Sequence, residues 1–318
     1  MHRLVRFFAV SALLVITPLH ASAQDDTCLH RTLPLGIDVP SGLGSTQIPI
    51  SGFQAKVHGK TVKILSVVPD YRPHRIVIML DASGSMEMSW PRALSLGLAL
   101  ANSALPNTQL ALVIFAEGTK ERIDFTQGQE AVRERLRQLS LNQKDRKKMV
   151  YGRTSILDAL LEGMRLLEPS NSADCLYLIS DGGEISSRVR LPEVAQRLTS
   201  SGVRLFFALM ERSEVGGRGI VEEVGGPPEI SELARKTGGE IRLPLDFKSL
   251  RDAKEAARYS EMLNSFHYSM IHSYRLEVEL PERLRKAQSW ELRLAGENKQ
   301  SWKDVRLNYP TELAACGP

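Results

Sequence analysis

The sequence predicts an α/β protein, a doubly wound and mostly parallel sheet with an accessory β-rich module drawn from both ends of the chain. Three observations predict it. Residues 76–80 (Ile-Val-Ile-Met-Leu) form an apolar run too short for a helix, as a strand buried on both faces would. From Arg75 onward, such runs alternate with segments of helical period. Past residue 270 the period drops to two, with Tyr274, Leu276, Val278 and Leu280 alternating with Arg275, Glu277 and Glu279.

The chain has 318 residues, of which 42% are hydrophobic and 25% charged, an ordinary globular composition. Residues 1–23 read as a secretory signal peptide: Arg3 and Arg6 precede an apolar run from Phe7 to Ile16, and Ala21-Ser22-Ala23 supplies a small-residue cleavage site. Without the leader, 39 basic side chains face 37 acidic ones, a balance that asks for no nucleic-acid partner. No later run is long enough to cross a bilayer, so the expected location is periplasmic or extracellular, with no membrane span after cleavage. Three cysteines are present. Cys28 and Cys316 sit near the ends of the exported chain and are candidates for a disulfide, and Cys175 reads as a buried core thiol.

Four regions follow: the leader at 1–23, an N-terminal β-rich segment at 24–72, a central α/β domain at 73–268 and a C-terminal β-rich segment at 269–318. In the first β segment, 53–57 and 61–65 flank His58-Gly59-Lys60 and predict a hairpin. Asp70-Tyr71-Arg72-Pro73 reads as a linker. Pro91 opens a helix over 91–105, with Leu94, Leu98 and Ala101 on one face. Strands are expected at 109–115, at 122–125 as an antiparallel edge, at 175–180, 203–210 and 240–243. Helices are expected at 130–139, 156–167, 191–200 and 230–236, the last stopped by Gly238-Gly239. Residues 211–228, with five glycines and two prolines, read as a loop. A long helix is expected at 247–266 through Phe247, Leu250, Ala257 and Leu263, followed by three half-buried tail strands.

Three loops bring oxygen ligands to strand ends, where ligands sit in open α/β sheets. Asp81-Ala82-Ser83-Gly84-Ser85 follows the first central strand, Thr154 precedes the helix that begins at Ile156, and Asp181 follows the strand at 175–180. Carboxylates and hydroxyls are the hard donors that Mg²⁺, Mn²⁺ and Ca²⁺ prefer. These separated motifs, in this order, resemble the von Willebrand factor type A family and its metal ion-dependent adhesion site, over roughly 75–266. The resemblance implies that Ser83 and Ser85 ligate the cation directly and that Thr154 does so directly or through water. It implies that Asp81 and Asp181 hold the waters or shift into contact. Mg²⁺ is the favoured ion, ahead of Mn²⁺ and Ca²⁺, and one coordination place is left for a carboxylate of a protein partner. Read singly, Asp81 and Thr154 are helix caps and the serines a turn; that reading does not explain their coincidence. More narrowly, the chain resembles exported VWFA-related proteins of acidobacterial genomes. That likeness rests on Phe53, Val57-His58-Gly59-Lys60, the run Asp81 to Met86, Leu157-Asp158-Ala159-Leu160 and Arg306-Leu307-Asn308-Tyr309-Pro310.

Met86, Met88 and Trp90 are candidates for an apolar rim or for packing onto the next helix. Lys144, Arg146, Lys147, Lys148 and Arg153 could steer an acidic partner, and Glu184 is either a support for the site or a surface residue. The expectation is a binder, not an enzyme. A phosphatase of the haloacid dehalogenase type needs a carboxylate at position 83, where this chain has Ser. Neither a nucleophile elbow, a phosphate-binding glycine loop nor a His-Glu-x-x-His motif is present. A metal-dependent hydrolase and a structural envelope protein with a stabilising cation are the alternatives.

Overall fold

Every residue from Ile76 to Leu80 is 0% exposed, and the strand they build lies at the centre of a six-stranded sheet. The structure, a computed structural model, describes residues 26–39, 48–142, 148–210, 227–242, 252–295, 302 and 304–316. The leader therefore lies outside the described residues, as do most of the glycine-rich loop, Lys144, Arg146, Lys147, Phe247 and Leu250.

The N-terminal segment supplies α1 (Asp26–Leu29), β1 (His30–Asp38), β2 (Phe53–Val57) and β3 (Lys60–Pro69). The central region runs β4 (Arg75–Asp81), α2 (Trp90–Ser103), β5 (Gln109–Phe115), β6 (Thr119–Ile123), α3 (Gly128–Leu141), α4 (Ile156–Leu166), β7 (Cys175–Ser180), α5 (Leu191–Ser201), β8 (Arg204–Leu209), α6 (Pro227–Lys236), β9 (Ile241–Arg242) and α7 (Ala253–Ile271). The tail adds β10 (Tyr274–Glu279), β11 (Gln288–Leu294), β12 (Arg306–Asn308) and β13 (Glu312–Leu313).

The central sheet has the order β6-β5-β4-β7-β8-β9, parallel except for β6 at its edge. Because successive side chains of a strand point to opposite faces, β4 serves two cores. Ile76, Ile78 and Leu80 pack with Trp90 and Leu94 of α2, Leu136 of α3 and Phe266 of α7. Val77 and Met79 pack with Leu160 of α4, Leu198 of α5 and Leu233 of α6. At about 1.5–3 kcal/mol per fully buried large aliphatic side chain, this double burial holds the loops at the strand ends on a rigid base.

The second sheet is antiparallel, with the order β12-β1-β10-β3-β2-β11-β13, and interleaves both ends of the chain. The predicted hairpin forms: Val57 pairs with Lys60, and His58 and Gly59 take φ of +49° and +76°, the left-handed pair that a two-residue hairpin turn requires. Leu35, Val57, Leu276, Val278, Trp290 and Leu292 form its core. Cys28 and Cys316 are disulfide-bonded across 288 residues, and Cys175 is a free, buried thiol.

Four expectations need correction. The last long helix, Ala253–Ile271, runs five residues past the expected end at 266, while positions 247–251 of the expectation lie outside the described residues. Asp252 caps it by accepting from the backbone N–H groups of Lys254 and Glu255, and its buried residues are Phe266, His267, Met270 and Ile271. The edge strand is Thr119–Ile123, set by the turn in which Ala116 N–H donates to the Gly118 carbonyl. A fourth tail strand, β13, pairs with β11. Asp70 is no free linker residue: it is buried and accepts two hydrogen bonds from the Arg72 guanidinium.

Candidate functional site

Asp81 ends β4, and Asp181 directly follows Ser180, the last residue of the neighbouring parallel strand β7, so two carboxylates emerge side by side at the carboxyl edge of the sheet. The third loop reaches them through backbone hydrogen bonds. Tyr151 N–H donates to the Ala82 carbonyl at 3.0 Å, and Gly84 N–H to the Gly152 carbonyl at 3.0 Å. Gly152 takes φ of +91°, which only glycine adopts without strain. Ile185 and Ser186 N–H groups donate to the Thr154 carbonyl at 3.1 and 3.0 Å. The structure thus ties all three loops bearing the sequence-predicted residues Asp81, Ser83, Ser85, Thr154 and Asp181 into one cluster.

Within it, Asp81 is fully buried. Its Oδ1 accepts from Ser83 N–H at 2.8 Å and its Oδ2 from the Ser180 hydroxyl at 2.6 Å. Burial, and then the charge of Asp181, push the Asp81 carboxyl up to about 7, against the hydrogen bonds from Ser180 and Ser83. Asp181 is 4% exposed; its Oδ1 accepts from Gly183 N–H at 3.1 Å, while its Oδ2 is buried with no hydrogen-bond partner among the described residues. The Ser83 and Ser85 hydroxyl oxygens lie 3.2 Å apart, and Thr154 is buried. A carboxylate oxygen left buried and unpaired is costly, and a divalent cation would satisfy it beside a second carboxylate. The donors fit a hard cation: two carboxylates and three hydroxyls, with no nitrogen or sulfur among them.

The supports of the cluster include two that spacing did not single out, Lys120 and Asp158, and one that it left open, Glu184. Lys120, on β6, donates from Nζ to the carbonyls of Ala82, Met149 and Tyr151 at 3.1, 2.5 and 2.7 Å. One ammonium therefore clamps two of the loops. Glu184 is buried and accepts from the N–H groups of Leu157, Ser186 and Ser187, which makes it a cap of α4 and a brace of the third loop. Asp158 accepts from the N–H groups of Arg188 and Val189. Met86 and Trp90 are core residues, 0% and 1% exposed, and only Met88 of that trio is exposed, at 70%. Tyr151, which spacing did not single out, is 59% exposed beside the same cluster. Lys148 and Arg153 are both exposed.

Residues 76–184, which hold all three loops, match the family profile of the von Willebrand factor type A domain. This segment is a von Willebrand factor type A domain. The VWA domain is accompanied here by the antiparallel sheet described above. No curated protein matches the chain in sequence. Among solved structures, it is similar to a von Willebrand factor type A protein from Catenulispora acidiphila at 14% identity, covering 86% of this chain and 74% of that one with a TM-score of 0.46. It is also similar to the manganese-loaded TRAP protein of Plasmodium vivax at 15% identity, covering 77% of this chain and 96% of that one with a TM-score of 0.44. Proximal thread matrix protein 1 of the mussel byssus, with a zinc-occupied MIDAS motif, matches at 16% identity over 67% of this chain and 50% of that one, with a TM-score of 0.45. At these scores the likenesses say nothing about the ion or partner of this chain.

Proposed function

We propose that this chain is an exported binding protein whose VWA domain captures a protein partner through a divalent cation, Mg²⁺ in preference to Mn²⁺ or Ca²⁺. The observation that carries the reading is the buried Oδ2 of Asp181, unpartnered among the described residues, beside the fully buried Asp81. The ion would be held by the hydroxyls of Ser83, Ser85 and Thr154, with Asp81 and Asp181 as the anionic side of the site. When bound, it supplies a Lewis-acidic centre for an acidic side chain of the partner. The protein's own contribution is preorganisation: Asp81 is fixed by Ser83 and Ser180, and the loops are fixed by Lys120 and Glu184. Exposed Arg153 and Lys148 add positive charge that favours an acidic partner. The Cys28–Cys316 disulfide supports an oxidising compartment. Among the described residues no helix is long and apolar enough to cross a membrane.

The test is capture from an envelope extract by immobilised protein, with Mg²⁺ or with chelator. The reading expects a partner retained with Mg²⁺, released by chelator and absent with Asp181→Ala. A partner retained equally in all three cases would sink it.

A further inference from the structure

The disulfide has surroundings unlike those of an inert staple. Arg31, on β1, is half-buried, and its Nη2 lies 3.6 Å from the sulfur of Cys28 and 3.6 Å from that of Cys316, while also donating to the Ala314 carbonyl at 3.2 Å. Its Nε is buried with no hydrogen-bond partner among the described residues, and burial lowers the guanidinium pKa from its ordinary value. Among the described residues no carboxylate is paired with it. A half-buried guanidinium thus rests against two neutral sulfur atoms, and among the described residues reduction of the bridge is what would place an anion beside it. Cys316 also lines a cleft of about 1120 Å³ open to solvent, together with His58, Arg283, Arg285 and Lys286. The single acidic residue of that lining, Glu282, is paired with Lys60 at 2.5 Å. Cys316 N–H donates to the Leu284 carbonyl at 2.8 Å, which fixes the sulfur at the basic wall.

We propose that the Cys28–Cys316 bridge is a thiol-exchange site that takes a small anionic thiol in the basic cleft. The thiolate of the incoming molecule attacks Sγ of Cys316. A new sulfur–sulfur bond forms to Cys316, the Cys28–Cys316 bond breaks, and its electron pair leaves on Cys28 as a thiolate held by the Arg31 guanidinium. Attack by a second thiolate on the mixed disulfide returns Cys316 as a thiolate and releases the oxidised small molecule. Cations beside a sulfur favour both the approach of a thiolate and the departure of one. Opening the bridge unties the start of β1 from the segment that follows β13, so the link between the chain ends becomes dependent on thiol supply.

The probes are reduced glutathione, which is anionic, and cysteamine, which is cationic, applied to the full chain at equal thiolate concentration. Adducts are read by intact mass and peptide mapping after acid quench. The expected result is a glutathione adduct on Cys316, formed at least tenfold faster than the cysteamine adduct at low salt, with the advantage lost at high salt. Arg285→Glu with Lys286→Glu, both on the surface, should abolish the preference without unfolding the protein. Arg31→Met should lower the equilibrium constant for reduction about tenfold, roughly 30 mV for this two-electron couple. In Cys28→Ser, the remaining Cys316 thiol should titrate below the ordinary value of about 8.5, measured by alkylation rate against pH. No adduct on the folded protein, an adduct on Cys28 instead, or equal rates for the two thiols at all salt concentrations would overturn the proposal, as would an ordinary Cys316 pKa in Cys28→Ser.

Discussion

The Lys120 ammonium lies 3.5 Å from the centre of the Tyr151 ring and donates to the carbonyl of the same residue at 2.7 Å. With its two further bonds, to Ala82 and Met149, this side chain links the edge hairpin to the loop after β4 and to the loop before α4. Burial lowers its pKa, opposed by the charges of Asp81 and Glu117. Lys120→Met leaves three carbonyls without that donor and should cost about 2 kcal/mol of stability in urea unfolding. It should also weaken any Mn²⁺-dependent stabilisation, because the ligand loops lose their clamp. Lys120→Arg should recover part of both. Unchanged stability and metal response in Lys120→Met would show that the loops hold without it.

Asp81 sets a pH dependence whose sign is determined by its burial. The folded protein keeps its proton up to about 7, whereas an unfolded aspartate loses it near 3.9, so the fold carries the cost of a buried charge above pH 7. That cost is relieved as pH falls from about 7 toward about 4. Relative to Asp81→Asn, the metal-free wild type should therefore gain stability on acidification through this window. Saturating Mn²⁺ should remove the gain by keeping the carboxylate ionised, and Mn²⁺ affinity should decline below about pH 7 because binding must displace the proton. Parallel stability–pH curves for the two metal-free proteins would contradict this assignment.

Glu184 joins the loop after β7 to the start of α4 through Leu157 N–H at 3.0 Å and Ser187 N–H at 2.9 Å. Glu184→Ala removes a buried acceptor of several backbone donors and should destabilise the protein by about 2 kcal/mol. Since the same loop contacts the Thr154 carbonyl, the variant should also need more Mn²⁺ for half-maximal stabilisation. A melting curve and metal titration indistinguishable from wild type would assign Glu184 no supporting role.

Much of the central sheet was legible because buried parallel strands are unbroken apolar runs: 109–115 and 175–180 were placed at their observed ends. The candidate site was legible where its residues are local in sequence or sit at strand ends, as Asp81, Ser83, Ser85 and Asp181 do. What escaped was set by distant contacts. Lys120 acts through backbone carbonyls 29 to 38 residues away, which no spacing rule encodes. Glu184 is left open by the sequence between a support and a surface residue, and only the fold, by burying it against α4, decides for the support. The final helix runs on to Ile271, beyond the apolar period that ends at Phe266, because His267, Met270 and Ile271 are buried by distant contacts. Asp252 caps its described start, and its burial is concentrated towards the C-terminal end. Strand β13, of two residues, is too short to show alternation and exists by pairing with β11.

The central claim is that Asp81, Ser83, Ser85, Thr154 and Asp181 hold one divalent cation. It is tested most directly by unfolding wild type, Ser83→Ala, Thr154→Ala and Asp181→Ala with and without Mn²⁺. At a metal concentration 100 times the dissociation constant, wild type should gain about 2.7 kcal/mol, and each variant markedly less at the same concentration. An equal Mn²⁺-induced gain in wild type and all three variants, or no gain in wild type at any concentration, would contradict it.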